Sequence, residues 1–206
     1  MKRWIVLVAL LLSACGGGDS EDPKPGTWLV PRWASENHRG GIMMLGDSIT
    51  AGWPQQYLPE GAINRGVPGD KTTDVLARFW LVVKEEPDEL YLMIGVNDLC
   101  AFGEGWDRPT QHVVENIEKM ILQLPSSTKI HVESILPTDR IPLTTIVETN
   151  QQIQKMLVNY PSVEYINLYP LFLNDYGQIL YLYDGIHPGD SGYLVMKAVL
   201  FPEVTQ

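Results

Sequence analysis

The sequence predicts a single α/β domain built on a parallel sheet. Short apolar runs alternate with amphipathic stretches from position 42 almost to the end, and right-handed crossovers turn that alternation into parallel strands with helices on both faces. The run Leu90-Tyr91-Leu92-Met93-Ile94 is apolar throughout, as a strand covered on both sides must be. A chain of 206 residues, 45% hydrophobic, holds one full core and leaves little room for a second.

The elements follow in order. Trp28 to Arg39 is a proline-containing lead-in whose aromatics suit the domain edge. Ile42 to Leu45 is a short apolar run bounded by glycines, hence a buried strand, and Gly46-Asp47-Ser48-Ile49-Thr50 is the turn leaving its carboxyl end. Open α/β sheets place ligands and reactive groups there. Ala62-Ile63-Asn64 is a second strand, ending in Arg65-Gly66-Val67-Pro68-Gly69-Asp70. Thr72 or Thr73 caps a helix with Val75, Leu76, Phe79, Trp80 and Val83 at helical spacing, stopped by Pro87. The Leu90–Ile94 strand ends in Gly95-Val96-Asn97-Asp98, and 102–108 is a loop. Pro109 suits the first turn of a helix that carries Val113, Ile117, Met120, Ile121 and Leu124 on one face. Lys129 to Ile135 is a strand broken by Pro137, and Leu143 to Tyr160 is a helix with Ile146, Asn150, Ile153 and Leu157 in register. Val163 to Leu168 is the last strand. The irregular, aromatic segment Tyr169 to Tyr183 suits a loop over a crevice, and Asp190 or Ser191 caps a final helix with Tyr193, Leu194, Ala198 and Val199.

The formal net charge of −10 comes without any basic stripe that could displace counterions from phosphates, which argues against a nucleic-acid partner. The N-terminus is not expected to join the fold. Met1-Lys2-Arg3 is a short positive region, and Trp4 to Leu12 is an apolar stretch too short to span a bilayer. Leu12-Ser13-Ala14-Cys15 then resembles a bacterial lipoprotein signal, which implies cleavage before Cys15 and lipid attachment to it. An ordinary secretory signal that happens to contain Cys15 is the alternative. On the lipoprotein reading, residues 1–14 are the signal, 15–27 a flexible Gly- and Pro-containing tether, and 28–206 the domain, exported and anchored to a bacterial membrane, the outer one by preference. Loss of Lys2 and Arg3 takes the charge to −12. Cys100 then has no partner, and it suits a partly buried small apolar position.

The residues with chemical potential are scattered. In Asp184-Gly185-Ile186-His187-Pro188, an Asp and a His three apart in a tight turn can face one another. The carboxylate then holds one ring N–H and leaves the other nitrogen as a base. An isolated D-x-x-H is otherwise best read as a surface pair. Of the four histidines, His38 lies in the lead-in, His112 near a helix start and His131 in a strand; only His187 has this neighbour. A serine hydroxyl needs such a base, and acyl transfer needs donors aimed at a developing oxyanion, worth about 3–4 kcal/mol each. Gly66 N–H, the Asn97 side chain and Ser48 N–H are candidates, though Gly66 could equally be a turn residue and Asn97 a loop residue satisfying backbone groups. Gly189-Asp190-Ser191-Gly192 resembles the serine region of trypsin-like proteases, but it opens a helix here and reads as an N-cap. No G-x-S-x-G elbow surrounds Ser48. No metal-ligand spacing or phosphate-cradling glycine loop is present, so no cofactor and no metal are implied.

Taken together, Gly46-Asp47-Ser48, Gly66, Gly95-Val96-Asn97-Asp98 and Asp184-Gly185-Ile186-His187 resemble the GDSL/SGNH hydrolase family, over positions 46 to 187. The resemblance implies a flavodoxin-like three-layer α/β/α sandwich. It implies Ser48 as nucleophile, His187 as base and acid, Asp184 as its orienter, and an oxyanion hole of Ser48 N–H, Gly66 N–H and Asn97. Short exported members similar to this chain include platelet-activating-factor-acetylhydrolase-like and sialate O-acetylesterase-type enzymes. The expectation is a serine esterase that removes short acyl groups, acetyl foremost, from a small-molecule or glycan ester, with a rate that follows deprotonation of a histidine near pH ~6.5. Trp53, Trp106, Tyr176 and Tyr181 are candidate rim residues that could stack on sugar rings, although the same rings suit core positions. A lysophospholipase or thioesterase acting on longer chains, and a non-catalytic glycan-binding lipoprotein, are the competing expectations.

Overall fold

The computed structural model describes residues 38–100 and 109–202. The signal, tether and lead-in expectations, Cys15 among them, and Trp106 lie outside the described residues. Five parallel strands run β1 Ile42–Gly46, β2 Ile63–Gly66, β3 Glu89–Met93, β4 Lys129–Glu133 and β5 Val163–Ile166, in the spatial order β2-β1-β3-β4-β5. This is the flavodoxin-like order, and its switch point lies between β1 and β3, where successive connections leave in opposite directions. Right-handed crossovers then send α2 (Thr72–Glu85), α4 (Pro109–Ile121) and α5 (Leu143–Leu157) to one face, where they pack side by side. The short α1 (Ser48–Ala51) and the final α6 (Asp190–Leu200) lie on the other. A five-residue α3 (Val96–Cys100) follows β3.

The core is the sheet itself. Met43, Met44 and Leu45 of β1 and Leu90 to Ile94 are all buried, which accounts for runs without polar alternation. Tyr91 faces α6: its hydroxyl reaches the carbonyl of Leu200, and its ring packs edge-on to Phe201. His131 stacks on Tyr91 at 4.3 Å and bonds Glu89 through Nε2 at 2.6 Å, a structural role. Cys100 is half-buried and forms no disulfide among the described residues. None of the described helices is long and apolar enough to cross a membrane.

Several sequence expectations shift. The strand expected to run to Ile135 ends at Glu133, because both backbone groups of Ile135 bond the side-chain amide of Asn150 at 2.9 Å instead of a neighbouring strand. Neither Asp190 nor Ser191 is the cap of α6. Gly189 holds that position without a side-chain bond, and Asp190, the first helical residue, accepts from the Tyr57 hydroxyl at 2.8 Å. Thr72 does not cap α2 either; it is the first helical residue, with its hydroxyl on Asp98. Trp80, Leu194 and Val199 are exposed rather than inward.

Candidate active site

The site forms where the switch point opens. β1 ends at Gly46, and Asp47 caps α1 by accepting the N–H of Ile49 at 2.9 Å, which makes Ser48 the first helical residue. Asp47 is fully buried. Burial, reinforced by the charges of Asp70 and Asp98, pushes its carboxyl up to about 7 despite the Ile49 bond.

Across the crevice, the chain turns at Gly185, with φ +87. A Cβ there would meet only the exposed carboxylate of Asp139, which can swing aside, so it is the left-handed conformation that calls for glycine. The turn is clamped from behind. The carbonyl of Gly185 accepts from Thr138 Oγ1 at 2.6 Å and from the N–H of Asp139 at 3.2 Å, and Arg140 donates to the carbonyl of Asp184 at 3.2 Å. Asp184 Oδ1 accepts the N–H groups of Ile186 and His187 at 3.0 and 2.8 Å, and Oδ2 faces His187 Nδ1 at 2.7 Å. Partial burial opposes ionisation of Asp184, but the His187 backbone N–H, the imidazole and the Ile186 N–H outweigh it and hold the carboxyl down at about 2.

An ionised carboxylate can only accept, so Nδ1 carries the ring proton and Nε2 presents a lone pair. Ser48 Oγ lies 2.8 Å from that Nε2, hence its hydroxyl donates to the imidazole. The contact joins residues 139 positions apart. Serine, imidazole and carboxylate therefore form one continuous chain of hydrogen bonds, able to take a proton from Oγ as it attacks and return it to a leaving group.

The oxyanion candidates are brought to the same end of the sheet, but not equally. Ser48 N–H, in the first turn of α1, has no intrahelical acceptor. Asn97 donates through Nδ2 to the carbonyl of Asp70 at 2.9 Å, which fixes the amide beside the β2–α2 loop with a second N–H to spare. Gly66 is a correction. Its N–H donates to Asn64 Oδ1 at 2.9 Å, and a Cβ on it would overlap the backbone nitrogen of Ala51. It lets β2 lie against α1 and has no free donor for a substrate. Three residues on, Val67-Pro68-Gly69-Asp70 is a turn closed by the Asp70 N–H on the Val67 carbonyl, with Gly69 at φ +83 and open space where its Cβ would be. Pro and Gly at the central positions make a type II turn, in which the Gly N–H is not used by the closing bond. The Pro68-Gly69 pair was the available signal for this donor.

The rim expectations fare differently. Trp53 is 6% exposed and packs its ring 5.1 Å from Tyr193 and 6.1 Å from Phe201, so it is a core residue. Tyr181 takes φ +67 and sets its ring edge-on against buried Phe172 at 5.8 Å, while its carbonyl accepts from Gly189 at 2.7 Å; it ties the loop down yet stays exposed on its other face. Tyr176 is fully exposed, on a turn closed by Asn174 and Gln178. Tyr183, not singled out from sequence, is exposed with its ring beside that of His187. Among the described residues no His, Cys, Asp and Glu cluster could hold a metal ion.

A serine, an imidazole and a carboxylate held together at the switch point of a parallel sheet define an α/β serine acyl hydrolase. The chain belongs to the GDSL-like lipase/acylhydrolase family, whose model matches residues 44–195. It is 25% identical over 185 residues to the platelet-activating factor acetylhydrolase IB subunit alpha1 of Rattus norvegicus, covering 79% of this chain and 78% of that protein. Among solved structures it resembles a lipase/acylhydrolase from Enterococcus faecalis, at 26% identity and TM-score 0.61, with 78% of this chain and 92% of that one covered. It also resembles a GDSL-like lipase from Bacteroides thetaiotaomicron, at 23% identity and TM-score 0.69, covering 82% and 93%. The protein is thus a carboxylic ester hydrolase of the GDSL type.

Proposed function

We propose that this hydrolase removes short acyl groups, acetyl foremost, from O-acylated carbohydrate, and that it works outside the cytoplasm on a lipid anchor at Cys15. The observation that carries the catalytic part is the 2.8 Å contact of Ser48 Oγ with His187 Nε2, backed by the 2.7 Å contact of Nδ1 with Asp184. Ser48 Oγ attacks the ester carbonyl while its proton passes to His187. The carbonyl oxygen, now anionic, is met by Ser48 N–H, Asn97 Nδ2 and the Gly69 N–H in place of Gly66. The C–O bond to the alcohol breaks as His187 returns the proton to the departing oxygen. Water then attacks the acyl-enzyme with His187 as base, and Ser48 leaves reprotonated.

The acetyl preference is supported by likeness to a protein named as an acetylhydrolase. The anchor is supported by the charged, apolar, small-residue and cysteine order of residues 1–15. Hydrolysis of p-nitrophenyl esters of increasing chain length tests the reading: rapid acetyl release, lost in Ser48→Ala, is expected. Preference for long chains would replace it with a lipase, and no turnover by the parent would leave a binder. For the anchor, Cys15→Ser is expected to release the protein from the membrane fraction or leave it unprocessed. Unchanged membrane association of that variant overturns lipidation.

A further inference from the structure

We infer that Tyr183 is the platform for the alcohol half of the ester, and that it selects alcohols presenting a ring face, pyranosyl or aryl. The inference rests on the reading of Ser48 as nucleophile. Tyr183 is 73% exposed, immediately before the triad carboxylate. Its N–H donates to the carbonyl of His187 at 3.1 Å, and its ring lies 5.9 Å from the imidazole, inclined by 23°. Folding gains little from a large ring left in water, so burial in the core does not account for it. Nor does holding His187 account for it. The ring contact at 5.9 Å is the weaker hold, since Asp184 grips the imidazole through a charge-assisted bond of 2.7 Å.

The chemistry states which half of the substrate Tyr183 meets. His187 Nε2 must deliver its proton to the departing alcohol oxygen, so the alcohol's carbon skeleton lies alongside the imidazole while the carbonyl oxygen points to the Asn97 side. A ring flanking the imidazole therefore faces the alcohol. The loop is built to present it: Tyr181, in a left-handed conformation with its ring edge-on to Phe172, precedes Tyr183 by two residues, and Leu182 pairs with Pro188 across the turn. An amphipathic ring of this kind offers a flat apolar face to a sugar or an aryl group and a hydroxyl at its tip.

The test compares the parent, Tyr183→Ala and Tyr183→Phe on phenyl acetate, a mono-O-acetylated methyl glucopyranoside and ethyl acetate. Each variant is referred to the parent on the same substrate, so intrinsic reactivity cancels. For Tyr183→Ala, kcat/KM is expected to fall roughly three- to tenfold further on the two ring alcohols than on ethyl acetate, the worth of one ring stack. Tyr183→Phe should recover most of the loss on phenyl acetate. The acetyl-enzyme is the same whichever alcohol has left, so its hydrolysis, read from the steady phase after a phenolate burst, should slow less than twofold. Equal losses on all three esters, or deacylation slowing in step, would show that Tyr183 merely steadies His187 and overturn the assignment. A parent inert on all three acetates sinks the esterase reading itself, and the platform with it, a result distinct from loss of alcohol selectivity in an active parent.

Discussion

A Cβ placed on Gly66 would overlap the backbone nitrogen of Ala51, whereas one on Gly69 would meet nothing within 4 Å. The two glycines stand three residues apart and serve opposite ends: one admits β2 against α1, the other turns a loop toward substrate. Gly66→Ala is therefore expected to lower Tm sharply, because backbone cannot yield as a flexible side chain can. Asn97→Ala should instead lower kcat by roughly 10²–10³ with KM changed little, the cost of one oxyanion donor. Thermal melts and steady-state kinetics of both variants check this, and a Gly66→Ala protein with the parent's Tm would return Gly66 to the oxyanion hole. Local sequence shows that a glycine is needed but not why; Asn64, two residues away, takes the Gly66 donor only in the folded loop. Trp53 follows the same logic. Five residues from the nucleophile it reads as rim, yet it fills the gap between Tyr193 and Phe201, which come from the far end of the chain.

At the scale of the element, α2 shows how a helix can be legible while its face is not. Val75 and Phe79 point inward as their spacing predicts, but Val82 takes the inward place expected of Val83, Arg78 and Glu85 turn inward too, and Trp80 is turned to solvent. The two charges are partnered from outside the helix. Glu85 takes Arg65 of β2 through bonds of 3.2 and 3.0 Å, and Arg78 takes Asp70 at 2.8 Å together with the carbonyls of Gly46 and Arg65. Removing one partner of such a pair leaves a buried charge uncompensated, which costs far more than an exposed pair gains. Arg78 thereby ties the end of β1, the end of β2 and the loop before α2, the three backbone segments from which Ser48 and Gly69 are hung. Asp98 performs the matching task for α3, accepting Thr72 at the start of α2 through its N–H and hydroxyl. Hydropathy places charges outside unless their partners are known, and these partners lie on other elements.

At the scale of the molecule, buried carboxyls among the described residues set the dependence of stability on pH, Asp98 among them, which burial also pushes up. Burial pushes Asp47 up to about 7, Asp70 to about 6 against the pull of Arg78, and Glu133 to about 8. Each binds its proton more tightly in the fold than in the unfolded chain, so its contribution is full below pH ~4 and is lost as pH rises through the folded value. Asp184, held down at about 2, has the opposite sign: its contribution is present above pH ~4 and lost as pH falls toward 2. Tm should therefore peak in mildly acidic solution and decline toward pH 8, and Glu133→Gln should flatten part of the decline. Melts of both proteins from pH 4 to 9 test this, and a parent whose Tm climbs between pH 5 and 8 would contradict it. The order of strands and helices, the parallel sheet and the spaced Gly-Asp-Ser and Asp-x-x-His motifs could all be read from the chain alone, because periodicity and turn chemistry act between near neighbours. Which N–H groups stay free, which aromatics reach solvent and which charges turn inward were decided only when the elements packed: α2 against β1 and β2 for the charges, and α6 against Trp53 for the aromatics. The burial of Trp53 depends on Tyr193 and Phe201, more than a hundred positions away, and the inward charges depend on pairing between different elements, which hydrophobic periodicity does not encode.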